Sequence, residues 1–544
     1  MQRSHFLRLT GFSIGSFLIH NDVFSEGQSR HILVAPDQVS IETMDGWFEM
    51  KSSDKQNWRY EDTNLELKMK KVHSYIYIQS PKIPLKKIRC MWKYPIPSTA
   101  LVLGDHYERT YGDVHWRPVS ERVKMPWYMI ESEGDNTFCF GVKTGAATIC
   151  HWEADGESIS LVLDTRSGGD AVSLGDRLLH AATIVLAKNS SHENAFATVR
   201  RFCGMMCDNP RKAPQPVYGI NDWYFAYGDN SAELILQHTE LVAPLVTNTS
   251  NKPFSVIDAG WADGEVCALS NTKFGDMSKL ASQIKELGMR PGLWTRLLCA
   301  DEGTDKSLLL PAIANRNDPK KAFMDPTIYE NQVRIRNLLI SYRQWGYQLI
   351  KHDYSTFDLL GRWGFQMMDD LTEPNWHFAD QSKTNAEIIM DLYGLIREGS
   401  GDAVLLGCNT MSHLAAGFFE INRIGDDTSG LEWERTRKMG VNTLGFRLVQ
   451  QGKFYDADGD CVGITPRVPW DKNLQWLELV AYSGAPLFIS ADPSFVEEDQ
   501  KKAIRRGFAL ASRVQPVGEP LDWLSNALPA DWKLDGKEMK FNWG

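Results

Sequence analysis

The sequence lacks the features that mark three large classes of protein. Lysine and arginine number 59 against 69 aspartate and glutamate, giving a net charge of −10 with no basic stripe, so nucleic acid is not an expected partner. Beyond the N-terminus no apolar run is long enough to span a bilayer. The nine cysteines show no paired zinc spacing, and no His or Cys cluster accompanies Cys203 and Cys207. We therefore expect no membrane span and no metal.

Residues 1–25 predict a secretory signal. Arg3 and Arg8 precede the mostly apolar stretch Leu9 to Leu18, and Val23-Phe24-Ser25 offers a cleavage point. The alternative is a plain N-terminal arm. The signal predicts export to the periplasm or the medium.

The length of 544 residues calls for several domains. Residues 26–195 contain short alternating runs, such as Tyr75 to Ile78 and Ser158 to Leu163, separated by Gly, Asp, Ser and Asn, which predicts an antiparallel β-sandwich. A linker is predicted over 196–216 and the opening of a small, minimal β module over 516–544. The polar, aromatic loop Gly104 to Arg117 is either an exposed connection or a segment that reaches over a site in the next domain; we favour the second.

Residues 217–515 alternate short apolar strands with helical segments, which predicts a (β/α)8 TIM barrel. The runner-up is an open doubly wound sheet, which would place a Gly-rich turn after the first strand. The chain has Asn221-Asp222-Trp223-Tyr224 there instead. The predicted strands are Val217 to Phe225, Phe254 to Ile257, Arg290 to Trp294, Tyr347 to Ile350, Ala403 to Leu406, Phe418 to Ile421, Lys453 to Tyr455 and Pro486 to Ile489.

Seven of these strands end in or near a group of polar or aromatic residues. A barrel brings the carboxyl ends of its strands to one mouth, so these residues are expected to converge on a site. They are Asn221 to Trp223, Asp258 to Trp261, Trp294 to Arg296, Lys351 to Asp353, Gly407 to Asn409, Arg423 to Thr428 and Asp456 to Asp460.

Two of these ends predict a reaction. Lys351 and Asp353 are two residues apart on a strand and point the same way, and the cation favours the ionised form of Asp353, which suits a nucleophile. The alternative is a structural ion pair. Asp426 lies next to Asp427, and like charge raises a carboxyl pKa, which suits a general acid; Asp427 is a rival for that role. A retaining glycosidase needs such a pair about 5–5.5 Å apart.

The chain resembles the clan of retaining α-galactosidases, glycoside hydrolase families 36 and 27, over about residues 216–515. The resemblance rests on Ile257 to Trp261, Pro291 to Trp294, Lys351-His-Asp353, Cys408, Arg423 to Thr428 and Ser483 to Phe488. It implies Asp353 as nucleophile, Asp426 as acid/base, and a sugar pocket lined by Asp258, Trp294, Lys351 and Cys408. Further substrate-binding candidates at the strand ends are Asp222, Trp223, Trp261, Arg296, Asn409, Arg423 and Asp427.

The function expected is that of a retaining glycoside hydrolase, α-galactosidase-like, that forms a covalent glycosyl-aspartate and needs no cofactor. Its partner would be an oligosaccharide or polysaccharide with an α-linked terminal sugar, and an oligomer is compatible with the sequence. Rival functions are a transglycosylase of the raffinose-synthase type and a non-catalytic glycan-binding barrel. Two positions depart from the clan: Ala259 stands where a second aspartate grips galactose, and Arg296 follows the strand-three tryptophan, which favours an anionic or modified sugar.

Overall fold

The structure is a computed structural model and describes residues 35–70, 73–119, 124–313 and 322–544. The predicted signal, residues 1–25, lies outside the described residues. None of the helices within the described ranges is both long and apolar enough to cross a bilayer.

The N-terminal region forms two antiparallel sheets, which confirms the predicted sandwich. Alternate residues of β1 and β6 are buried, as expected for strands with one face in a core. The sheets have the orders β2-β1-β6-β13-β12-β9 and β3-β4-β5-β14-β11-β10-β7-β8, and Phe140 of one packs 6.1 Å from Trp152 of the other. The strands are β1 Gln38–Thr43, β2 Gly46–Glu49, β3 Asn57–Tyr60, β4 Thr63–Lys70, β5 His73–Ser80, β6 Lys87–Lys93, β7 Leu101–Gly104, β8 Arg117–Pro118, β9 Met125–Pro126, β10 Tyr128–Glu133, β11 Asn136–Val142, β12 Ile149–Ala154, β13 Ser158–Asp164 and β14 Gly175–Lys188.

The segment predicted as a linker begins with a helix, α1 (Ala195–Met206), which the Asn194 side chain caps by accepting a hydrogen bond from the Ala197 N–H. The residues from Asn209 to Pro216 that follow it carry no helix or strand.

Parallel strands of the next region curl into the predicted barrel, with the order β23-β22-β21-β20-β17-β16-β15-β25-β24. Strand β15 pairs with both β16 and β25, so the first strand joins the last. Apolar side chains from several strands, among them Val256, Leu349 and Leu406, share one buried cluster. The strands are β15 Tyr218–Asn221, β16 Phe254–Ile257, β17 Arg290–Thr295, β20 Leu349–His352, β21 Val404–Gly407, β22 Ile421–Arg423, β23 Asp456–Asp458, β24 Cys461–Ile464 and β25 Leu487–Ala491; the short β18 (Cys299–Ala300) and β19 (Ala322–Phe323) pair outside it.

Three predicted strand positions were wrong. The sixth strand was predicted at Phe418 to Ile421 but lies at Ile421–Arg423, with only Ile421 in common. The first strand ends at Asn221, and Trp223–Ala226 turns into a short helix. The seventh strand was predicted at Lys453 to Tyr455, but it lies at Asp456–Asp458 and Cys461–Ile464. Its two halves pair with different neighbours, β23 with β22 and β24 with β25, and Asp460 between them has a left-handed φ of 75°. The acidic residues Asp456 to Asp460, predicted to follow the seventh strand, are therefore part of the barrel wall.

Helices alternate with the barrel strands, as the sequence predicts. Helix α8 begins at a capping box formed by Thr384 and Glu387, and α5 ends at Gly346, whose left-handed φ of 101° suits a residue without a Cβ. The helices are α2 Trp223–Ala226, α3 Ala232–Val242, α4 Met277–Glu286, α5 Tyr329–Trp345, α6 Ser355–Leu360, α7 Gly364–Met367, α8 Asn385–Ser400, α9 Ser412–Ala415, α10 Trp433–Thr436, α11 Thr443–Arg447, α12 Trp470–Ser483 and α13 Glu498–Ala511.

A small antiparallel sheet follows the barrel, in the region predicted to hold a β module. It consists of β26 (Glu519–Pro520), β27 (Asp531–Leu534) and β28 (Lys537–Lys540). Trp532 is fully buried beneath it.

Candidate active site

A cavity of about 200 Å³ lies at the carboxyl ends of the barrel strands. It is smaller than the roughly 300–1,000 Å³ of pockets for drug-sized ligands, which suits a single sugar ring. It is lined by Trp223, Asp258, Ala259, Glu265, Trp294, Arg296, Lys351, Asp353, Tyr354, Cys408 and Asp427. A larger cavity of about 600 Å³ touches Arg290 and Gln348 at the opposite strand ends, but its lining contains no carboxylate for acid–base chemistry.

Asp353 is held in place by three N–H donors. Its Oδ1 accepts hydrogen bonds from the backbone N–H groups of Tyr354 at 2.8 Å and Asn409 at 3.1 Å. Its Oδ2 accepts one from Trp294 Nε1 at 3.0 Å. Tyr354 donates from a left-handed backbone with φ of 65°, a conformation that costs a bulky residue about 1–3 kcal/mol and that clusters at functional sites. The carboxylate is thus fixed at the wall of the cavity.

The surroundings of Asp353 favour its ionised form. Burial raises its pKa, but Lys351 and Arg109 outweigh burial with their positive charges, and the Trp294 hydrogen bond adds to them, so the pKa lies below its usual value. This agrees with the charge state that a nucleophile needs.

Lys351 pairs directly with Asp258 rather than with Asp353. Its Nζ lies 2.6 Å from Asp258 Oδ2, which also accepts from Asn221 Nδ2 at 2.7 Å. Burial lowers the pKa of Lys351, but Asp258 more than offsets burial and the pKa lies well above its usual value. The structural ion pair of Lys351 is therefore made with Asp258, between strands two and four, and not with Asp353 as the alternative predicted. Asp353 lies next to this pair.

Asp426 and Asp427 occupy different environments. Asp426 lies between two guanidinium groups, with Oδ1 2.9 Å from Arg109 Nη2 and Oδ2 2.8 Å from Arg435 Nη2, and it is absent from the cavity lining. Asp427 lines the cavity, and its side chain is 37% exposed against 14% for Asp426. Of the two, Asp427 is the carboxylate that a ligand in the cavity can reach.

Arg423 anchors Asp427 from below. Its Nη1 lies 3.1 Å from Asp427 Oδ1, while Nη2 lies 2.7 Å from Asp460 and Nε 3.4 Å from Asp458. The break in the seventh strand places the last two carboxylates side by side on this guanidinium. Arg423 is 1% exposed and does not itself line the cavity.

Arg296 lines the cavity but its charge is already compensated. Its Nε and Nη2 make a bidentate pair with Asp358 at 3.0 and 2.5 Å, and Glu265 lies 3.8 Å from Nη1. The guanidinium also stacks on the Tyr354 ring at 4.2 Å. An anionic sugar would meet a paired arginine next to a second carboxylate, so this geometry gives little support to the anionic-sugar hypothesis.

Of the thirteen predicted site residues, eight line the cavity: Trp223, Asp258, Trp294, Arg296, Lys351, Asp353, Cys408 and Asp427. Five lie behind it: Asp222, Trp261, Asn409, Arg423 and Asp426. Whether each of the thirteen contacts a substrate stays a prediction.

Three of the residues behind the lining support others. Asp222 accepts a hydrogen bond from the Asp258 N–H at 2.7 Å; burial, and then the Asp258 charge, raise the pKa of Asp222 to about 7. Trp261 is fully buried and donates from Nε1 to the Trp294 carbonyl oxygen at 2.9 Å. The Asn409 backbone N–H holds Asp353.

No protein-family model matches this sequence, and no curated protein matches it. Solved structures do match it over most of their length. TtGalA, an α-galactosidase from Thermus thermophilus, has a TM-score of 0.62 at 15% identity, over 93% of this chain and 99% of that one. The GH36 α-galactosidase AgaA from Geobacillus stearothermophilus has 0.57 at 11% identity, over 87% and 75%. An α-galactosidase from Lactobacillus brevis has 0.54 at 12% identity, over 90% and 74%.

The chain has the fold of the GH36 α-galactosidases. The similarity to these enzymes, first noted in the short motifs of the barrel, therefore extends to the domain layout, in which a β domain precedes the barrel. At these identities the likeness concerns the fold, and the chemistry has to be argued from the cavity.

Within this GH36 fold, sequence reasoning missed Glu265 and Tyr354 of the cavity lining and two residues of the loop Gly104 to Arg117, Glu108 and Arg109. The predicted contact of this loop with the next domain is observed, because the Thr110 N–H donates to the Ile424 carbonyl oxygen at 3.0 Å; no residue of the loop lines the cavity, so its reach over a site stays a prediction. The available signal for the two loop residues was their place in a polar, aromatic loop that the sequence analysis favoured as reaching over a site. Glu265 gave no such signal, since it lies in a polar loop like many others.

Proposed function

We propose that this protein is a retaining glycoside hydrolase that cleaves terminal α-linked sugars, with α-galactosides as the first substrates to test. The observation that carries the proposal is the pairing, in one sugar-sized cavity, of an ionised and immobilised Asp353 with a second carboxylate, Asp427. The Thermus enzyme, whose fold this chain shares, has been seen in complex with p-nitrophenyl α-D-galactopyranoside and with stachyose.

In this proposal Asp353 attacks the anomeric carbon, and the glycosidic bond breaks as a glycosyl-aspartate ester forms. Asp427 gives its proton to the departing oxygen. It then takes a proton from water, which cleaves the ester and regenerates Asp353. Asp427 replaces Asp426 in this role because both Asp426 oxygens face arginines while Asp427 faces the cavity.

The test compares wild type with Asp353→Ala, Asp427→Ala and Asp426→Ala on p-nitrophenyl α-glycosides of galactose, glucose, N-acetylgalactosamine and arabinopyranose. We expect hydrolysis by wild type with retention of anomeric configuration by NMR, and near-complete loss in Asp353→Ala. Asp427→Ala should keep most activity on 2,4-dinitrophenyl α-galactoside, whose leaving group needs no proton, and regain turnover with azide, which needs no general base. Asp426→Ala is the matched control.

A wild-type protein that releases no sugar from any of these glycosides contradicts the proposal. If Asp426→Ala instead shows the leaving-group dependence and the azide rescue, the acid/base is Asp426. Product analysis with excess oligosaccharide acceptor separates hydrolysis from transglycosylation, since both use the same pair of carboxylates.

A further inference from the structure

The loop Gly104 to Arg117 docks onto the strand end that carries the second carboxylate. Thr110 pairs with Gly425 in parallel fashion: the Thr110 N–H donates to Ile424 O at 3.0 Å, and the Asp426 N–H donates to Thr110 O at 2.8 Å. The N-terminal β domain thus forms one parallel β-bridge with the segment between the sixth barrel strand and Asp427.

Glu108 reaches from this loop toward the other carboxylate. It is fully buried and accepts hydrogen bonds from the Gly364 N–H at 2.9 Å, from the Tyr111 hydroxyl and from Asn409 Nδ2. The backbone N–H of the same Asn409 holds Asp353 Oδ1 at 3.1 Å. One asparagine therefore links Glu108 to the candidate nucleophile.

Arg109 reaches the second carboxylate itself. Its Nη2 lies 2.9 Å from Asp426 Oδ1 and its Nη1 3.7 Å from Asp427 Oδ1. The residue is only 7% exposed, and its buried Nε makes no hydrogen bond with any residue that the structure describes. The guanidinium lies 5.4 Å from the Trp363 ring, which covers it. A buried arginine with this geometry is committed to the pair of aspartates.

We propose that Glu108 and Arg109 are positioning residues through which the N-terminal β domain holds both catalytic carboxylates of the barrel. Glu108 fixes Asp353 through Asn409, and Arg109 fixes Asp427 both directly and through Asp426. The inference rests on the proposed function only in calling these carboxylates catalytic, and the contacts themselves do not depend on it.

The charge of Arg109 gives the inference a readout that a purely structural contact would not move. Asp353 faces Lys351 and Arg109 as cations, with Cys408, Tyr354 and His352 beside it. Arg109 is one of the two cations that lower the pKa of Asp353, so its removal raises that pKa. The nucleophile must be ionised, so the acidic limb of the pH profile moves to higher pH.

The experiment measures kcat/KM against pH for p-nitrophenyl α-galactoside in wild type, Arg109→Gln and Arg435→Gln. The control residue Arg435 binds the same Asp426 but makes no hydrogen bond or ion pair with Asp427 or Asp353 among the described residues. We expect Arg109→Gln to shift the acidic limb upward by about one pH unit and Arg435→Gln to leave it in place. An unmoved acidic limb in Arg109→Gln, or equal shifts in the two variants, overturns the inference.

Two further variants cover a failure of Arg109→Gln to fold. Arg109→Lys keeps the charge but not the planar fork, so its acidic limb should stay at the wild-type pH while kcat falls; a shifted acidic limb contradicts the charge argument. Glu108→Gln should lower kcat about tenfold and leave KM within twofold, because Asp353 is misplaced rather than the sugar. An unchanged kcat removes the Glu108 half of the inference.

A structural measurement separates this inference from the proposed function. If wild type turns over no glycoside, the function fails, while crystal structures of wild type and Arg109→Gln still test the positioning. The Asp427 side chain should leave its wild-type position in Arg109→Gln and keep it in Arg435→Gln. An unmoved Asp427 in Arg109→Gln overturns the inference whatever the activity.

Discussion

Replacing Trp294 with phenylalanine removes the one hydrogen-bond donor of its side chain and leaves a smaller aromatic ring in the cavity wall. Trp294 Nε1 is the donor to Asp353 Oδ2 at 3.0 Å, while Oδ1 keeps its two backbone donors. The loss therefore falls on one oxygen of one carboxylate. A hydrogen bond to a charged group contributes about 1.5–3 kcal/mol.

That energy translates into a shift of pKa. One pKa unit corresponds to about 1.36 kcal/mol of preference for one protonation state, so losing the bond should raise the pKa of Asp353 by about 1–2 units. The nucleophile works only when ionised. The acidic limb of kcat/KM should therefore move to higher pH by the same amount, with the activity at the pH optimum reduced.

The assay is the pH profile of kcat/KM on an aryl α-galactoside, with Trp223→Phe as the control. Trp223 lines the same cavity, and in the described part of the chain its indole N–H makes no hydrogen bond to a carboxylate. The control is expected to change KM and to leave the acidic limb in place. The basic limb should stay fixed in both variants. An acidic limb at the wild-type pH in Trp294→Phe would refute the assignment of Asp353.

Two further predictions concern packing and titration. A Cβ on Gly425 would lie 2.5 Å from the Met439 carbonyl oxygen, so Gly425→Ala should displace the segment Asp426-Asp427, lower kcat at least tenfold and lower the free energy of unfolding by about 1–3 kcal/mol. The control is Gly394→Ala in helix α8, where the nearest atom to the added Cβ is 3.6 Å away and neither effect is expected. Equal effects of the two substitutions on kinetics and thermal unfolding would contradict this prediction. Burial and Asp258 raise the pKa of Asp222 to about 7, so the native state binds a proton that the unfolded state releases near pH 4, and this contribution to stability falls as pH rises from 4 to 7. In urea unfolding, the free energy of unfolding of Asp222→Asn should rise relative to that of wild type between pH 5 and pH 8. A difference between the two proteins that stays constant over this range would argue against the raised pKa.

The barrel was accessible from the sequence because its strands are short apolar runs that end in polar residues. Strand β20 is the clearest case: four buried residues precede Asp353. The first half of the seventh strand, Asp456–Asp458, was misplaced because two of its three residues are acidic. Asp458 and Asp460 are buried by pairing with Arg423, a partner 35 and 37 positions away that no local pattern reveals.

The candidate site was predictable where a residue ends a strand and not where it arrives from elsewhere. Asp353, Trp294 and Lys351 follow from strand position alone. The choice between Asp426 and Asp427 does not, since it depends on Arg109, more than 300 residues earlier in the chain, occupying one side of the pair. The burial of Glu108 behind Asn409 depends on the same docking of two domains.

The pairing of charges also limits what the cavity selects. Lys351 is paired with Asp258, and Arg296 with Asp358, so neither cation offers an uncompensated charge to a ligand. What the wall presents is a set of fixed donors and acceptors of the kind that hydroxyl groups bind, with the methyl group of Ala259 as an apolar interruption. Under the proposed function this composition favours a neutral sugar. Because Ala259 stands where the resemblance implies a second hydroxyl-binding aspartate, we expect discrimination among neutral sugars to depend on the other polar residues of the cavity lining.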